Sequence, residues 1–488
     1  MMVGVSGRAR PVTTFAVLAL GVAAFALLQS LVIPVLTTVQ HELHTTQSTV
    51  TWVLTAYLLS ASVMTPILGR VGDMIGKKRV FVATLLALAV GSFLAAIASS
   101  IGVLIAARVI QGVGGGMIPV AFGIIRDEFP AARVAGAVGS LASLTAVGAG
   151  LGIVLAGPLV AVLNYHWLFW LPLILTVVAA ACAIALVPES PVRTPGHISW
   201  LSAMLLSAWL VALLVALSEA PQWGWRSARV IGLIAAAVLL AAAWVTAELR
   251  AKTPLIDMKM MRQRAVWTNN LVALLIGLGM YATFAFLPEF VQTPASAGYG
   301  FGATITQSGL MLLPSSITMF SVGLLAGRLT RLLGGKALVI AGSLIGCASM
   351  SILAFAHQHE WEVYLSGAIM GIGFGLVFSA MSALIVAAVP VSQTGVASGM
   401  NANIRTIGGS IGSAVMASIV TSQLAPSGLP RESGYTIGFA AMAGGLVLAA
   451  LAATLLPSVR RLRQPASAAD DAQLAATPAG LAAVDQAG

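Results

Sequence analysis

Charge is what this chain has least of. Only 8% of its 488 residues are charged while 59% are hydrophobic, and the mean hydropathy is +0.98. A soluble domain of this length needs polar surface that such a composition cannot supply. Cysteine is nearly absent: Cys182 and Cys347 both fall inside apolar runs, with no disulfide or metal-ligand pattern. There is no P-loop, and the Gly-x-Gly strings lie within apolar runs rather than at strand-to-helix turns. ATP is therefore not expected to drive this chain directly, and no cofactor is implied. Acids number 15 against 25 basic residues, and no carboxylate falls near the middle of an apolar run. His41, His44, His357 and His359 all fall in expected outer loops, and the pair His357-x-His359 lacks the further ligands a metal site needs.

What the chain has in plenty is apolar runs of about twenty residues, each long enough to span roughly 30 Å of hydrocarbon. A membrane β-barrel would instead show short alternating segments. The expected fold is all-α and integral to the membrane. Spans are predicted over 13–36, 50–68, 80–100, 104–125, 135–163, 167–186, 200–218, 229–247, 266–288, 304–326, 337–355, 363–388, 395–422 and 437–456, fourteen in all. The first run is too long for a signal-peptide core and no small-residue cleavage site follows it, so it reads as an uncleaved span. The segment from Gln464 onward is rich in Ala, Asp and Gln without an apolar period, and is expected to be disordered.

A net charge of +10 invites a nucleic-acid partner, but its distribution argues for topology instead. With both termini inside, twenty of the 25 basic residues fall on the inner side, among them Arg70, Lys77, Arg79 and Arg126. Only Arg226, Arg229 and Arg431 fall outside, and Arg108 and Arg405 lie within spans. Positive loops stay cytoplasmic, so the chain is expected in the cell membrane with both ends in the cytoplasm. Most tryptophans, Trp52 and Trp361 among them, sit near span ends as interfacial anchors do.

Arg108 stands inside the run Leu104–Ile125, where a charge at the bilayer centre costs about 2.5–3.5 kcal/mol on insertion scales. Such a residue faces protein or a watery cavity. Gln111 shares its helical face, and Gly112 and Gly116 allow a neighbouring backbone to come close. Arg108 can hold buried carbonyls, couple to protonation, or meet an anionic group of a substrate. Arg405 lies where it can either act in the same way or snorkel to the inner surface.

An internal repeat organises the chain. Gly69-Arg-Val-Gly-Asp-Met-Ile-Gly-Lys-Lys78 returns as Gly327-Arg-Leu-Thr-Arg-Leu-Leu-Gly-Gly-Lys336, an offset of 258. Gly112, Gly114 and Gly116 map onto Gly371, Gly373 and Gly375 at 259. Pro130, Gly139, Gly148 and Gly152 map onto Pro390, Gly399, Gly408 and Gly412 at 260. Eight spans separate equivalent positions, an even number, so the repeats are parallel about an axis along the membrane normal. The expected arrangement is 6+2+6: residues 1–12 cytoplasmic, 13–186 a six-helix bundle, 187–265 a linker with two extra spans, 266–456 a second bundle, and 457–488 a disordered tail.

These features resemble the major facilitator superfamily, in particular its fourteen-helix drug:proton antiporter branch of multidrug exporters. Gly69-x-x-Gly-Asp73-x-x-Gly76-Lys77-Lys-Arg79 resembles the family's loop 2–3 motif, and Leu104-x-x-x-Arg108-x-x-Gln111-Gly112 its fourth-helix motif. Tyr165-His-Trp167-Leu-Phe169, Trp223-Gly-Trp225, Glu248-x-x-x-x-x-Pro254-Leu-Ile-Asp257 and Asn403-x-Arg405-x-x-Gly408-Gly-Ser-x-Gly412 resemble features of the branch. Two strings depart from it. The first helix reads Leu28-Gln29-Ser30-Leu31-Val32-Ile33-Pro34, with Gln29 where the branch usually has an Asp, and the fifth-helix antiporter motif reads Gly152-Ile-Val-Leu-Ala-Gly157, followed by Pro158.

The resemblance implies alternating access around a midplane cavity lined by helices 1, 2, 4 and 5 and their counterparts 9, 10, 12 and 13. It implies a small-molecule substrate, protons as coupling ion, no resident metal and a monomeric transporter. Gly69, Arg70, Asp73, Gly76, Lys77 and Arg79 are expected to form a conformational latch, with Asp73 paired to Arg70 or set against a helix N-terminus. Arg108, Gln111 and Arg405 are expected as the buried polar coupling set. Gln29, Tyr57, Tyr281, Phe284, Phe374, Phe378 and Met381 are expected on the cavity wall. Gly112, Gly116, Gly152, Gly157, Pro158, Gly371 and Gly375 are expected at close helix contacts and hinges.

With Gln29 in place of an acid, the expected cargo is neutral or anionic, unless coupling runs through an acid at a helix end. A transporter of one particular metabolite or natural product fits the same residues. A lipid-modifying membrane enzyme would need a clustered nucleophile, base or metal set that these residues do not assemble, and a channel would need a filter-like segment or charged ring.

Overall fold

The computed structural model describes residues 11–45, 47–190, 199–251, 254–390, 393–422 and 429–457. The expected N-terminal segment 1–12 and tail 457–488 lie almost wholly outside the described residues, as do Arg8, Arg10, Arg193, Lys252, Arg460, Arg461 and Arg463.

The described chain is helical throughout: α1 (Pro11–Leu31), α2 (Leu36–Glu42), α3 (Gln47–Ile75), α4 (Lys77–Ala96), α5 (Ile101–Gly112), α6 (Met117–Glu128), α7 (Ala131–Val162), α8 (Trp167–Leu186), α9 (Trp200–Trp223), α10 (Ala228–Arg250), α11 (Met258–Met261), α12 (Arg264–Gln292), α13 (Ile305–Leu333), α14 (Gly335–Phe355), α15 (Glu360–Ala388), α16 (Thr394–Thr421) and α17 (Glu432–Ala453). Among the described residues, thirteen helical segments are long and apolar enough to cross a membrane, and α7 contributes the shorter apolar stretch Gly150–Val162. At 32 residues and 1.5 Å per residue, α7 is about 48 Å long, more than the thickness of a bilayer's hydrocarbon. Large apolar side chains such as Leu239, Leu324 and Leu448 stay exposed because lipid, not water, is their solvent.

Three boundaries differ from the sequence expectation, each for a local reason. The run Leu104–Ile125 is two helices joined by a 3-10 turn at Val113–Gly116, because the string Gly112-Val-Gly-Gly-Gly116 gives little support to an α-helical turn. The second span does not stop at residue 68. Helix α3 continues to Ile75, so Gly69, Arg70 and Asp73 are helical and only Gly76 makes the turn. Reading charge as loop shortened that span. The first span ends at Leu31, and Pro34 follows in a 3-10 turn over Ile33–Val35, consistent with a ring that cannot continue an α-helix.

The repeat seen in the sequence is a repeat of contacts. In the first half α1 packs on α7 and α8, α3 on α5, and α4 on α5 and α8; in the second α12 packs on α16 and α17, α13 on α15, and α14 on α15 and α17. The matched glycines occupy matched crossings. A Cβ on Gly112 or Gly116 would strike Ser60 or Leu68 of α3, and one on Gly371 or Gly375 would strike Ser315 or Met319 of α13. Gly114 faces Leu88 of α4, as Gly373 faces Gly342 of α14. Gly148 and Gly152 of α7 pack against α1, as Gly408 and Gly412 of α16 pack against α12. Small residues at such positions let backbones approach, which is how helices associate where lipid removes the hydrophobic drive.

The halves meet along two seams, α7 against α13 and α16 against α3. The hairpin α9–α10 lies beside the second seam: α9 packs on both α3 and α16, and Trp225 Nε1 donates to Ser418 Oγ at 2.7 Å.

Candidate functional site

Between the halves lies a cavity of about 170 Å³. Gln29, Ser30 and Ile33 of α1, Tyr57, Ser62 and Thr65 of α3, Met280, Tyr281 and Phe284 of α12, Met319 of α13, Phe378 of α15, and Asn403 and Arg405 of α16 are on its wall. Among the described residues no Asp or Glu lines it. A space of about 30 Å³ lies next to it and shares Ile118, Thr145, Phe378, Ala402 and Arg405 with it. Phe378 and Arg405 thus stand between the two, with the Arg405 Cζ 4.5 Å from the Phe378 ring centroid.

Five of the seven residues expected on the wall are there: Gln29, Tyr57, Tyr281, Phe284 and Phe378. Phe374 and Met381 are not. Phe374 is fully buried over Gly346, in the contact between α15 and α14. Met381 is buried in the core of the second half, where its carbonyl accepts from Asn269 Nδ2 at 3.0 Å. Helix α15 is buried on almost every side, so its apolar residues carry no pattern that separates cavity from core.

Arg108 also lies off the wall. It is completely buried, its Nε donates to the Val53 carbonyl at 3.0 Å and its Nη1 to Gln111 Oε1 at 2.8 Å. Gln111 continues the chain to Ser92 Oγ at 3.2 Å. Its Cζ sits 4.3 Å from the Tyr57 ring centroid, so the guanidinium backs one face of an aromatic that lines the cavity. Neither Arg108 nor Arg405 takes part in an ion pair among the described residues. Cation–π contact, worth up to about 2 kcal/mol when desolvated, is part of what holds each charge. Arg405 stands at the cavity wall.

The latch residues gather at the end of the molecule where α3 turns into α4. Gly69 meets the Gly395 carbonyl across the α3–α16 seam, and Gly327 meets Gly136 in the same manner across α13–α7. Asp73 is buried against the first turn of α16, beside Gly395 and the Val396 amide. The helix N-terminus is thus its neighbour across the seam, and its nearest cation is Lys77 at 3.9 Å rather than Arg70. Lys77 is itself buried and bonds Asp127 Oδ2 more closely, at 2.7 Å. Arg79 is exposed and pairs loosely with Glu189 at 3.5 Å.

Gly76 has φ +117°, and Glu189 lies directly beneath it. Gly76→Val is expected to combine that backbone strain, about 1–3 kcal/mol, with displacement of Glu189. Its measure is a lower thermal midpoint of the purified protein, with Arg79→Ala as a near-silent control.

Two residues at this end stand outside the expected site: Arg126, expected only as inner-side topology, and Asp127, which carries no expectation. Asp127, whose side chain is fully buried, accepts from both Lys77 and Ser190. Arg126 reaches from α6 to the other half: Nη1 donates to the Val386 carbonyl at 2.5 Å and to Thr394 Oγ1 at 2.6 Å, and Nη2 to the Val389 carbonyl at 2.8 Å. It clasps the end of α15 and the start of α16 at once. The pattern Arg126-Asp127-Glu128 closing an apolar run was the signal available.

Of the remaining hinge candidates, Gly157 abuts Thr306 at the start of α13, and Pro158 is exposed within a continuous α7. Ser30, beside Gln29, ties α1 to the Gly148 carbonyl of α7 at 3.3 Å.

A multi-pass helical protein whose two repeated halves enclose a cavity, joined by clasps at one end, is a transporter rather than an enzyme. The chain belongs to the Major Facilitator Superfamily, whose profile matches residues 18–413. The Multidrug resistance protein B homolog of Mycobacterium tuberculosis (strain ATCC 25618 / H37Rv) is 30% identical over 392 residues, 78% of this chain and 70% of that one. The Multidrug transporter protein MdtP of Bacillus subtilis (strain 168) is 27% identical over 383 residues, 77% and 69%. The Tetracenomycin C resistance and export protein of Streptomyces glaucescens is 26% identical over 422 residues, 86% and 77%. In fold the chain is similar to the human organic anion transporter MFSD10 (TETRAN), with a TM-score of 0.65 at 16% identity over 91% of this chain and 99% of that one.

Proposed function

We propose that this protein exports small, largely apolar molecules from the bacterial cytoplasm by alternating access, as a monomer in the inner membrane. In this reading it is a fourteen-span member of the drug:proton antiporter branch in a 6+2+6 arrangement, with both termini and the Arg70–Arg79 turn facing the cytoplasm. The observation that carries the reading is the cavity between the halves under a one-ended closure: Arg126, Asp73 and the Gly69–Gly395 crossing join the halves at the basic end. The names of the multidrug and antibiotic-export relatives support the direction of transport.

The drive is the proton gradient, in which each charge moved is worth about 2.3 kcal/mol per 100 mV. Asp73 and Asp127 are buried acids within the closure, and they supply places for a proton that Gln29 cannot. Closing and opening that end changes their surroundings, which is the requirement for coupling.

The test is accumulation of ethidium-sized and antibiotic compounds in inverted vesicles from an exporter-deficient bacterium. Accumulation that collapses with ΔpH and survives ATP depletion is the expected result. Accumulation that needs ATP, or none for any compound in a broad screen, would end the reading. Arg108→Ala is expected to lower transport at least about tenfold while the protein stays in the membrane. Removing it frees the Val53 carbonyl and Gln111 and takes away the cation behind Tyr57, a loss of roughly 1.5–3 kcal/mol for a charged hydrogen bond.

A further inference from the structure

We propose that the cavity selects planar aromatic organic anions, holding the negative group at Arg405 and Asn403 and the rings among Tyr57, Tyr281 and Phe284. The inference rests on the exporter reading of the same cavity and adds its cargo class. Its starting point is a charge imbalance. Arg405 is on the wall, Arg108 lies 4.3 Å behind the Tyr57 ring, and no carboxylate shares the wall with them among the described residues. The buried acids of the closure, Asp73 and Asp127, are engaged with Lys77. Glu289 of α12 is not on the wall and interacts with Tyr435. A guanidinium taken out of water without a counter-ion is unfavourable, and an arriving anion relieves that cost. An arriving cation adds to it.

Unsatisfied polar atoms point to the same place. Asn403 is 2% exposed and lines the cavity, yet neither its Nδ2 nor its Oδ1 has a hydrogen-bond partner. Arg405 Nε and the Tyr57 hydroxyl, also at the wall, have none. Buried donors are seldom left unmatched, so these are fitted to a ligand or to water that a ligand displaces. Together Nε and Nδ2 offer N–H donors to a carboxylate or acidic enolate, the pairing for which a planar guanidinium is suited.

The backbone presenting them is closely packed. Helix α12 approaches so closely at Gly277 that a Cβ there would lie 2.1 Å from the Arg405 carbonyl oxygen. Around these groups the wall is aromatic and flat, and the cavity of about 170 Å³ compares with the roughly 150 Å³ that holds benzene. At least one aromatic ring fits.

The experiment compares three probes of matched size, 2-naphthoate, 2-naphthol and N-methylquinolinium, by equilibrium binding to the full chain in lipid nanodiscs. Naphthoate is expected to bind at least about tenfold tighter than the quinolinium. Arg405→Gln should remove that preference while changing naphthol affinity less than about twofold, and Arg405→Lys should keep part of it. Asn403→Ala should weaken naphthoate more than naphthol. If Arg405→Gln is not monodisperse, the probe ranking of the unaltered protein and the Arg405→Lys result decide. Equal or tighter binding of the cation, uniform loss across all three probes in the Arg405 variants, or binding of none of them overturns the proposal. Transport separates it from the exporter reading. Naphthoate bound with preference while no compound of the broad screen is moved would sink the exporter and leave the site. Cationic dyes exported without naphthoate binding would do the reverse.

Discussion

Gly412→Leu should leave almost no folded transporter, while Gly444→Leu should be silent. At Gly412, α16 crosses α12 so tightly that an added Cβ would sit 2.0 Å from the Leu278 carbonyl oxygen and 2.7 Å from its Cα. The obstacle is backbone on both sides, so no rotamer change relieves it, and a leucine must push the two helices apart. Overpacking of yielding cores costs about 1–3 kcal/mol, and a site that cannot yield lies at or beyond the top of that range. Gly444 on α17 is exposed and has nothing within 4 Å of its Cβ position. The readout is the thermal midpoint and yield of monodisperse protein. A Gly412→Leu protein with an unchanged midpoint would show that α12 and α16 do not meet as described. Gly152→Leu, its repeat equivalent on α7, should fail in the same way, because the Leu27 carbonyl and Ser30 of α1 occupy the place of its side chain.

That pair of positions shows why the architecture was legible. A glycine is needed where two backbones cross, and the crossing recurs in each half, so the offsets of 258 to 260 in the sequence trace a repeated contact rather than a repeated composition. Arg108 was legible for a related reason: a single guanidinium in an apolar run has few places to go, and a buried carbonyl with Gln111 one turn on is one of them. Its position behind Tyr57, off the cavity, depends on how α3 and α5 cross and leaves no mark in either segment. Phe374 and Met381 failed as cavity residues because α15 is apolar on all faces; in such a helix, periodicity does not say which neighbour a side chain meets.

Arg126 and Asp127 escaped notice for the opposite reason. Charge at the inner end of a span has an ordinary explanation in topology, and that explanation conceals a tertiary role. What distinguishes them is their partners: Lys77 on α4 for Asp127, and elements of the other half for Arg126, some 260 residues away in sequence.

Arg126→Ala should therefore abolish transport in a protein that still folds. The side chain makes three hydrogen bonds between the halves, two of them to carbonyls at the end of α15. Each charge-assisted bond is worth about 1.5–3 kcal/mol, and only bonds present in one conformation bias the cycle. These three bonds all run between the halves rather than within one, so the variant's thermal midpoint should fall little. Losing about 3 kcal/mol from the closed basic end shifts the balance of states roughly a hundredfold toward opening there. With Cys182 and Cys347 replaced by serine, a cysteine at Ser382, beside the small space beneath Arg405, reports that opening. It should react with a membrane-impermeant maleimide slowly in the parent and much faster after Arg126→Ala. Arg126→Lys should fall between, because one ammonium cannot span Val386, Val389 and Thr394 as the guanidinium fork does. Unchanged reactivity at Ser382 alongside lost transport would mean that Arg126 acts on something other than the closure. Full transport by Arg126→Ala would show that the Gly69–Gly395 crossing and Asp73 hold that end shut without it.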